Sequence, residues 1–306
     1  MQDPIDADPW TGVLNATEDS PMCVQDLGVT PIGSEDCLYL NVFTPVLNFT
    51  KTERQLPVMI WIYGGAFLAG TVTREMYGPD LFLENNVIFV EMNYRLGPLG
   101  FLSLNMDECR GNQALKDQNM AMRWVQNNIV NFGGDPNRVT VFGESAGAVS
   151  VIYHLLSPQS KGLFQQAISQ SGSAICPWGF HSPKRAVQAA YEIGAHMGIA
   201  AETNEQLLDA LKKADIKDII NAVHVALSEH QFPISLPFQP TIDAIPSDPS
   251  PEKVFLDGCP ISKLQSGNFT RVPTMLGYNK DEVIISTIIG MQLLPCHRYS
   301  TIPQYK

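Results

Sequence analysis

The 306-residue chain sets 20 basic against 31 acidic side chains, a formal net charge of −11. That acidic balance argues against nucleic acid or an anionic membrane surface as partner, and a hydrophobic fraction of 44% with 9% aromatics excludes a disordered chain. No apolar stretch is long enough to span a bilayer, and the six cysteines show no metal-ligand spacing.

Residues 1–36 carry little periodicity and read as irregular surface structure. Met1 runs directly into the polar, proline-bearing segment Gln2 to Pro9, which does not read as a secretory signal. Asp36 to Phe43 alternates at Leu38, Leu40 and Val42 and predicts a strand. A polar connection, Asn48 to Gln55, leads to Pro57–Tyr63 and then, further on, Val87–Asn93. Both runs are short and continuously apolar, as buried strands of a parallel sheet are. Gly64-Gly65-Ala66-Phe67 follows the first of them, and Tyr94 to Phe101 reads as a loop. Gln113 to Phe132 is a long amphipathic helix stopped by Gly133-Gly134-Asp135-Pro136.

A strand over Val139–Phe142 enters Gly143-Glu144-Ser145-Ala146-Gly147, and a helix follows. Gln165 to Gln170 supplies another strand. Lys184–Met197, Asn204–Lys213 and Ile216–Leu227 read as three helices, an inserted block over roughly residues 184–230 of one domain spanning 1–306. Phe232 to Pro251 is a proline-rich loop. Val272–Gly277 is a strand, Asp281–Ile289 a helix, and no complete element follows Met291. Strands separated by helices give a mostly parallel α/β sheet.

The strand–turn–helix setting turns Gly-x-Ser-x-Gly into a candidate nucleophile elbow, with Oγ of Ser145 at a helix N-terminus. The competing reading is a glycine-rich turn in an ordinary α/β sheet. Acyl transfer needs a nucleophile, a base, a group to orient the base, and donors for an oxyanion. Ser145 is the nucleophile candidate, and the amides of Ala146, Gly64 and Gly65 are the donor candidates. Asp243, Asp281 and Glu282 are the candidate acids, with Glu282 placed just after a strand. The histidines after the serine are His181, His196, His224, His230 and His297, and His297 alone follows Glu282. No P-loop, dinucleotide fingerprint or HExxH motif occurs, so the reading calls for no cofactor and no metal. Cys23 and Cys37 bracket a turn-rich segment compatible with a small disulfide loop. Asn15, Asn48 and Asn268 each begin an Asn-x-Thr glycosylation acceptor and, with that loop, tilt toward a secreted protein.

Ser34-Glu35-Asp36-Cys37-Leu38-Tyr39-Leu40-Asn41-Val42, Phe142 to Gly147, Asn131 to Pro136 and Gln170-Ser171-Gly172-Ser173 closely resemble the signatures of the type-B carboxylesterases, which include cholinesterases and insect esterases. The resemblance implies an α/β-hydrolase fold and hydrolysis of a small-molecule carboxylic ester through an acyl-enzyme on Ser145. Glu282 would be the triad acid, although Val283 stands where the family has glycine. Gly64, Gly65 and Ala146 would form the oxyanion hole, with Tyr63 replacing the commoner histidine of that stretch. Cys23 and Cys37 would pair, Cys176 would be free, and Trp178, Ile234 and Leu236 would line the acyl pocket. No tryptophan lies between Cys23 and Cys37, so a choline-binding platform is not expected. The family's histidine lies beyond the region resembled, so the chain is expected to be incomplete at both ends and nearly inactive by itself. A non-catalytic binding or adhesion protein of the same fold, or an inactive truncated product, are the alternatives.

Overall fold

The computed structural model describes residues 1–26, 30–46, 55–229, 236–244 and 253–282, and every structural statement below concerns those. A six-stranded sheet runs in the order β3–β5–β4–β6–β7–β8. Its strands are β3 (Leu40–Phe43), β4 (Leu56–Ile62), β5 (Ile88–Met92), β6 (Gly134–Glu144), β7 (Gln166–Gln170) and β8 (Thr274–Gly277). β3 pairs antiparallel to β5, and every other pairing is parallel. A two-stranded hairpin of β1 (Gln25–Asp26) and β2 (Pro31–Ile32) stands apart from it.

β5 is buried at every residue, as its unbroken apolar run requires, while β4 alternates between buried and half-buried residues along most of its length. β6 begins earlier than its apolar run suggests, because Gly134 already pairs with Leu56 before an irregularity restores register at Val58 and Val139. The segment expected to be a loop after β5 contains a short helix, α2 (Gly97–Phe101), opened by Pro98, which is preorganised for a first helical turn. α1 (Asp80–Glu84) and α8 (Pro260–Ser266) are likewise short helices with too few residues to show a period. α3 spans Gln113–Asn128 and tightens to 3₁₀ over Ile129–Phe132, where Gly133 at φ 84° ends it.

α4 (Ala146–Leu156) is buried at every residue, a core helix in contact with both β6 and β7. The three helices α5 (Pro183–His196), α6 (Asn204–Lys213) and α7 (Ile216–Glu229) stand where the amphipathic pattern puts them. Ser182 and Thr203 cap α5 and α6 by accepting the amides of Arg185 and Gln206, each at 3.3 Å. α7 reaches the β1–β2 hairpin, where His224 Nδ1 lies 3.3 Å from Asp26. The segments expected around Asn48 and over Asp281–Ile289 fall largely outside the described residues. Among those described, no helix is long and apolar enough to cross a membrane.

Burial disfavours the charged form of His154 and of Glu91 in this scaffold. His154 on α4 lies between Ser160 Oγ at 2.8 Å and Gln118 Oε1 at 3.0 Å, and burial pushes its pKa down to about 3. The Gln118 carbonyl accepts from Nε2–H, so Nδ1 accepts the Ser160 hydroxyl, whose oxygen in turn accepts Asn119 Nδ2 at 2.9 Å.

Glu91 on β5 is the second. Burial raises it to about 7, partly offset by Asn41 Nδ2, which donates to Oε1 at 2.9 Å. Its other oxygen has no hydrogen-bond partner among the described residues. An acid with a raised folded-state pKa stabilises the fold below its unfolded value near 4.5 and loses that contribution as pH rises through about 7. Glu91→Gln removes the ionisation cost. The variant is expected to be more stable than the parent at pH 8, by up to about 3 kcal/mol, and to show little gain at pH 5, measured by urea unfolding at both values.

Candidate active site

Ser145 sits between the last residue of β6 and the first of α4 with φ 55° and ψ −119°, a conformation that L-residues rarely hold. Two glycines make the turn possible. A Cβ on Gly143 would lie 2.6 Å from the carbonyl of Gly147, and one on Gly147 would lie 2.0 Å from the Ile62 carbonyl oxygen. β4, β6 and the start of α4 therefore touch backbone to backbone. Ser145 N donates to Gln170 O on β7 at 2.9 Å, which ties the turn to the neighbouring strand.

Gly64, just past β4, packs on the same turn: its added Cβ would meet Ser145 Cβ at 3.0 Å and the Glu144 carbonyl oxygen at 2.7 Å. Gly65, Ala66 and Phe67 follow with φ of 107°, 57° and 62°. The amides of Gly64, Gly65 and Ala146 donate to no other described residue. Ser145 itself is partly exposed. The turn thus sets a reachable hydroxyl at a helix N-terminus, beside unengaged backbone donors.

Glu282 is brought in from beyond β8. Ser171, directly after β7 and also at positive φ (57°), donates its hydroxyl to Glu282 Oε1 at 2.5 Å, and the Asn279 amide donates to the same oxygen at 2.5 Å. The Ser171 hydroxyl first, and the Asn279 amide second, hold the Glu282 carboxyl below its usual range. Glu144, next to the serine, is pushed the other way, chiefly by partial burial and also by the charge of Glu282. Gly172 lets this loop close on the elbow, since a Cβ there would lie 2.3 Å from the Ser145 carbonyl oxygen.

The other candidate acids are placed elsewhere. Asp243 is buried, 3.2 Å from Lys116 Nζ, and accepts from Asn112 and from the Phe255 amide. It neutralises an internal lysine. Asp281 is exposed. Among the described residues no histidine is hydrogen-bonded to Ser145 Oγ, and His230 and His297 lie outside them. Trp178 is half-buried with its ring centroid 6.5 Å from that of Phe67, and Leu236 is fully buried. Ile234 lies outside the described residues. Cys23 and Cys37 are disulfide-bonded; Cys109, Cys176 and Cys259 are free thiols, that of Cys176 raised by burial. Asn15 and Asn268 are exposed, and Asn48 lies outside the described residues. No cluster of side chains among the described residues could hold a metal ion.

Sequence reasoning missed the Ser171–Glu282 contact. Its signal was a small hydroxyl residue in Gln-Ser-Gly-Ser at the carboxyl end of a strand, the edge where sites of α/β sheets gather.

A mostly parallel sheet flanked by helices, with a serine at positive φ between a central strand and a buried helix, defines an α/β-hydrolase-type protein. Within that class the chain belongs to the carboxylesterase family, whose sequence profile matches residues 1–296. It is 42% identical over 285 residues to venom carboxylesterase-6 of Apis mellifera, covering 90% of this chain and 49% of that protein. Juvenile hormone esterase of Tribolium castaneum is 40% identical over 299 residues, 92% of this chain and 48% of its own length. Acetylcholinesterase of Bungarus fasciatus is 38% identical over 298 residues, covering 92% and 47% respectively. The chain spans about half the length of these curated relatives.

Two outcomes follow from this geometry. Gly147→Ala drives a methyl group into the Ile62 carbonyl and is expected to destabilise the fold by about 3 kcal/mol or more, at the upper end of overpacking costs, read from denaturant melts. Ser171→Ala deletes the strongest donor to Glu282, so the titration midpoint of that carboxyl should rise, as followed by ¹³C NMR of labelled glutamate side chains.

Proposed function

We propose that the protein is a serine carboxylic-ester hydrolase that works through an acyl-enzyme on Ser145. The observation that carries the reading is the strained, partly exposed Ser145 packed against Gly64, with the amides of Gly64, Gly65 and Ala146 bonded to no other described residue. In this reading Oγ attacks the ester carbonyl, and the three amides stabilise the oxyanion as its charge develops. The tetrahedral intermediate then expels the alcohol, and water later releases the acid. Each donor of this kind is worth about 3 kcal/mol in the transition state.

Glu282 is the acid of the set, kept ionised by Ser171 and Asn279 so that it can orient and stabilise a protonated histidine. The base is the group the reading still requires, because a neutral serine hydroxyl is a poor nucleophile without one. Trp178 and Leu236 are the candidate apolar walls of the acyl pocket. α5, α6 and α7 are the helical insert of a single hydrolase domain. The disulfide and the exposed acceptors Asn15 and Asn268 favour an extracellular protein.

The test uses p-nitrophenyl acetate and butyrate with the protein and with Ser145→Ala. With no base placed beside the serine turnover is expected to be low, so the expected result is a slowly formed acyl adduct on the peptide carrying Ser145, found by mass spectrometry after prolonged incubation and lost in the variant. Equal release by both folded proteins, with no adduct, refutes the reading.

A further inference from the structure

The turn after β4 is held in its conformation largely from outside. Gly65, Ala66, Phe67 and Gly70 all have positive φ, and for Ala66 and Phe67 that means a steric cost at Cβ. Inside the turn, Leu68 N and Ala69 N both donate to Gly65 O at 3.0 Å. From α2, Gly97 N donates to Phe67 O at 2.7 Å. The far end is gripped by one side chain. Gln25 Nε2 donates to Gly70 O at 2.8 Å, and Gln25 Oε1 accepts Gly70 N at 2.9 Å.

The grip is built into the fold. Gln25 is 3% exposed and its Nε2 also donates to Cys23 O at 3.0 Å. Cys23 is cross-linked to Cys37, so β1 is anchored two residues before the glutamine. On the other side of Gly70 stands the fully buried Tyr63 ring. A Cβ on Gly70 would come within 2.3 Å of it, so the backbone is confined between that ring and the glutamine amide. A primary carboxamide presents a donor and an acceptor side by side, which matches the N–H and C=O of a single residue. A thioether or an alkyl group of equal length offers neither, and would leave the half-buried N–H and C=O of Gly70 without this partner.

We propose that Gln25 is a positioning residue: its side-chain amide clamps Gly70 and so fixes the turn 64–70, which carries the Gly64 and Gly65 amides against Ser145. What the turn does once fixed rests on the hydrolase reading above; the clamp itself does not. The disulfide hairpin then serves the catalytic turn through one side chain, at a distance from the serine.

The experiment compares the parent with Gln25→Met and Gln25→Glu by hydrogen exchange of peptides covering residues 64–72 and by the rate of Ser145 acylation with p-nitrophenyl acetate. Gln25→Met is expected to speed exchange in that segment while β5 and β6 keep theirs, and to slow acylation about tenfold or more. Gln25→Glu carries its own control. A protonated carboxyl reproduces the donor–acceptor pair and a carboxylate does not. Its exchange, corrected for intrinsic rate, and its acylation relative to the parent should therefore recover as pH is lowered in one and the same folded protein. A general loss of packing would not reverse in this way. Unchanged exchange over 64–72 in Gln25→Met overturns the clamp. Faster exchange with acylation unchanged overturns the positioning role. Absence of any Ser145 adduct in the parent refutes the hydrolase reading instead, and exchange alone then decides whether Gln25 holds the turn.

Discussion

The approach of three backbones where β4, β6 and α4 meet governs the rest of the site. Ile62 O, Gly143 and the first turn of α4 lie at distances that leave no room for a single methyl group. That contact sets the serine's dihedrals. With α4 pressed on the strands, the chain passes from β6 into the helix through a residue at φ 55° that stays partly exposed. The strain is local, and it is sustained by the burial of α4 along its whole length and by the bond from Ser145 N to β7.

Charge in the site is distributed unevenly, and the unevenness has named sources. Glu282 receives a hydroxyl and an amide on one oxygen and is held ionised, while Glu144 is partly buried, faces that charge, and holds its proton more tightly. Two carboxylates near one serine thus have their acidities shifted in opposite directions. Deeper in the scaffold burial works against charge on two groups. His154 is neutral inside a chain of hydrogen bonds, and burial raises the Glu91 carboxyl to about 7. The two respond to pH in opposite senses. His154 must acquire a proton for the acid-unfolded state to be reached, whereas Glu91 must lose one on the alkaline side.

The central strands were legible because each is a short apolar run flanked by turn residues, and α5 to α7 because their amphipathic period is long and capped by Ser182 and Thr203. The elbow was legible for a steric reason, since small residues at 143 and 147 have few other uses between a strand and a helix. α2 was read as loop because its two glycines and one proline mask a five-residue helix whose order comes from packing on α3. The early start of β6 was hidden as well. Gly134 pairs with Leu56 by backbone bonds alone, which leave no side-chain pattern to read. The Ser171–Glu282 bond and the Gln25 clamp join residues 111 and 45 positions apart, a separation over which local pattern carries no information.

β8 leaves one border of the sheet open among the described residues. All four of its residues are exposed, and Met275, Leu276 and the following Tyr278 expose 65%, 69% and 85% of their surface. It is the last strand in the sheet order, so its outer row of N–H and C=O groups faces no described strand. Such an edge is a template that accepts any extended chain, and its apolar side chains reward the addition. An extended segment pairing there would bury Met275 and Leu276 much as the inner strands bury their own apolar side chains.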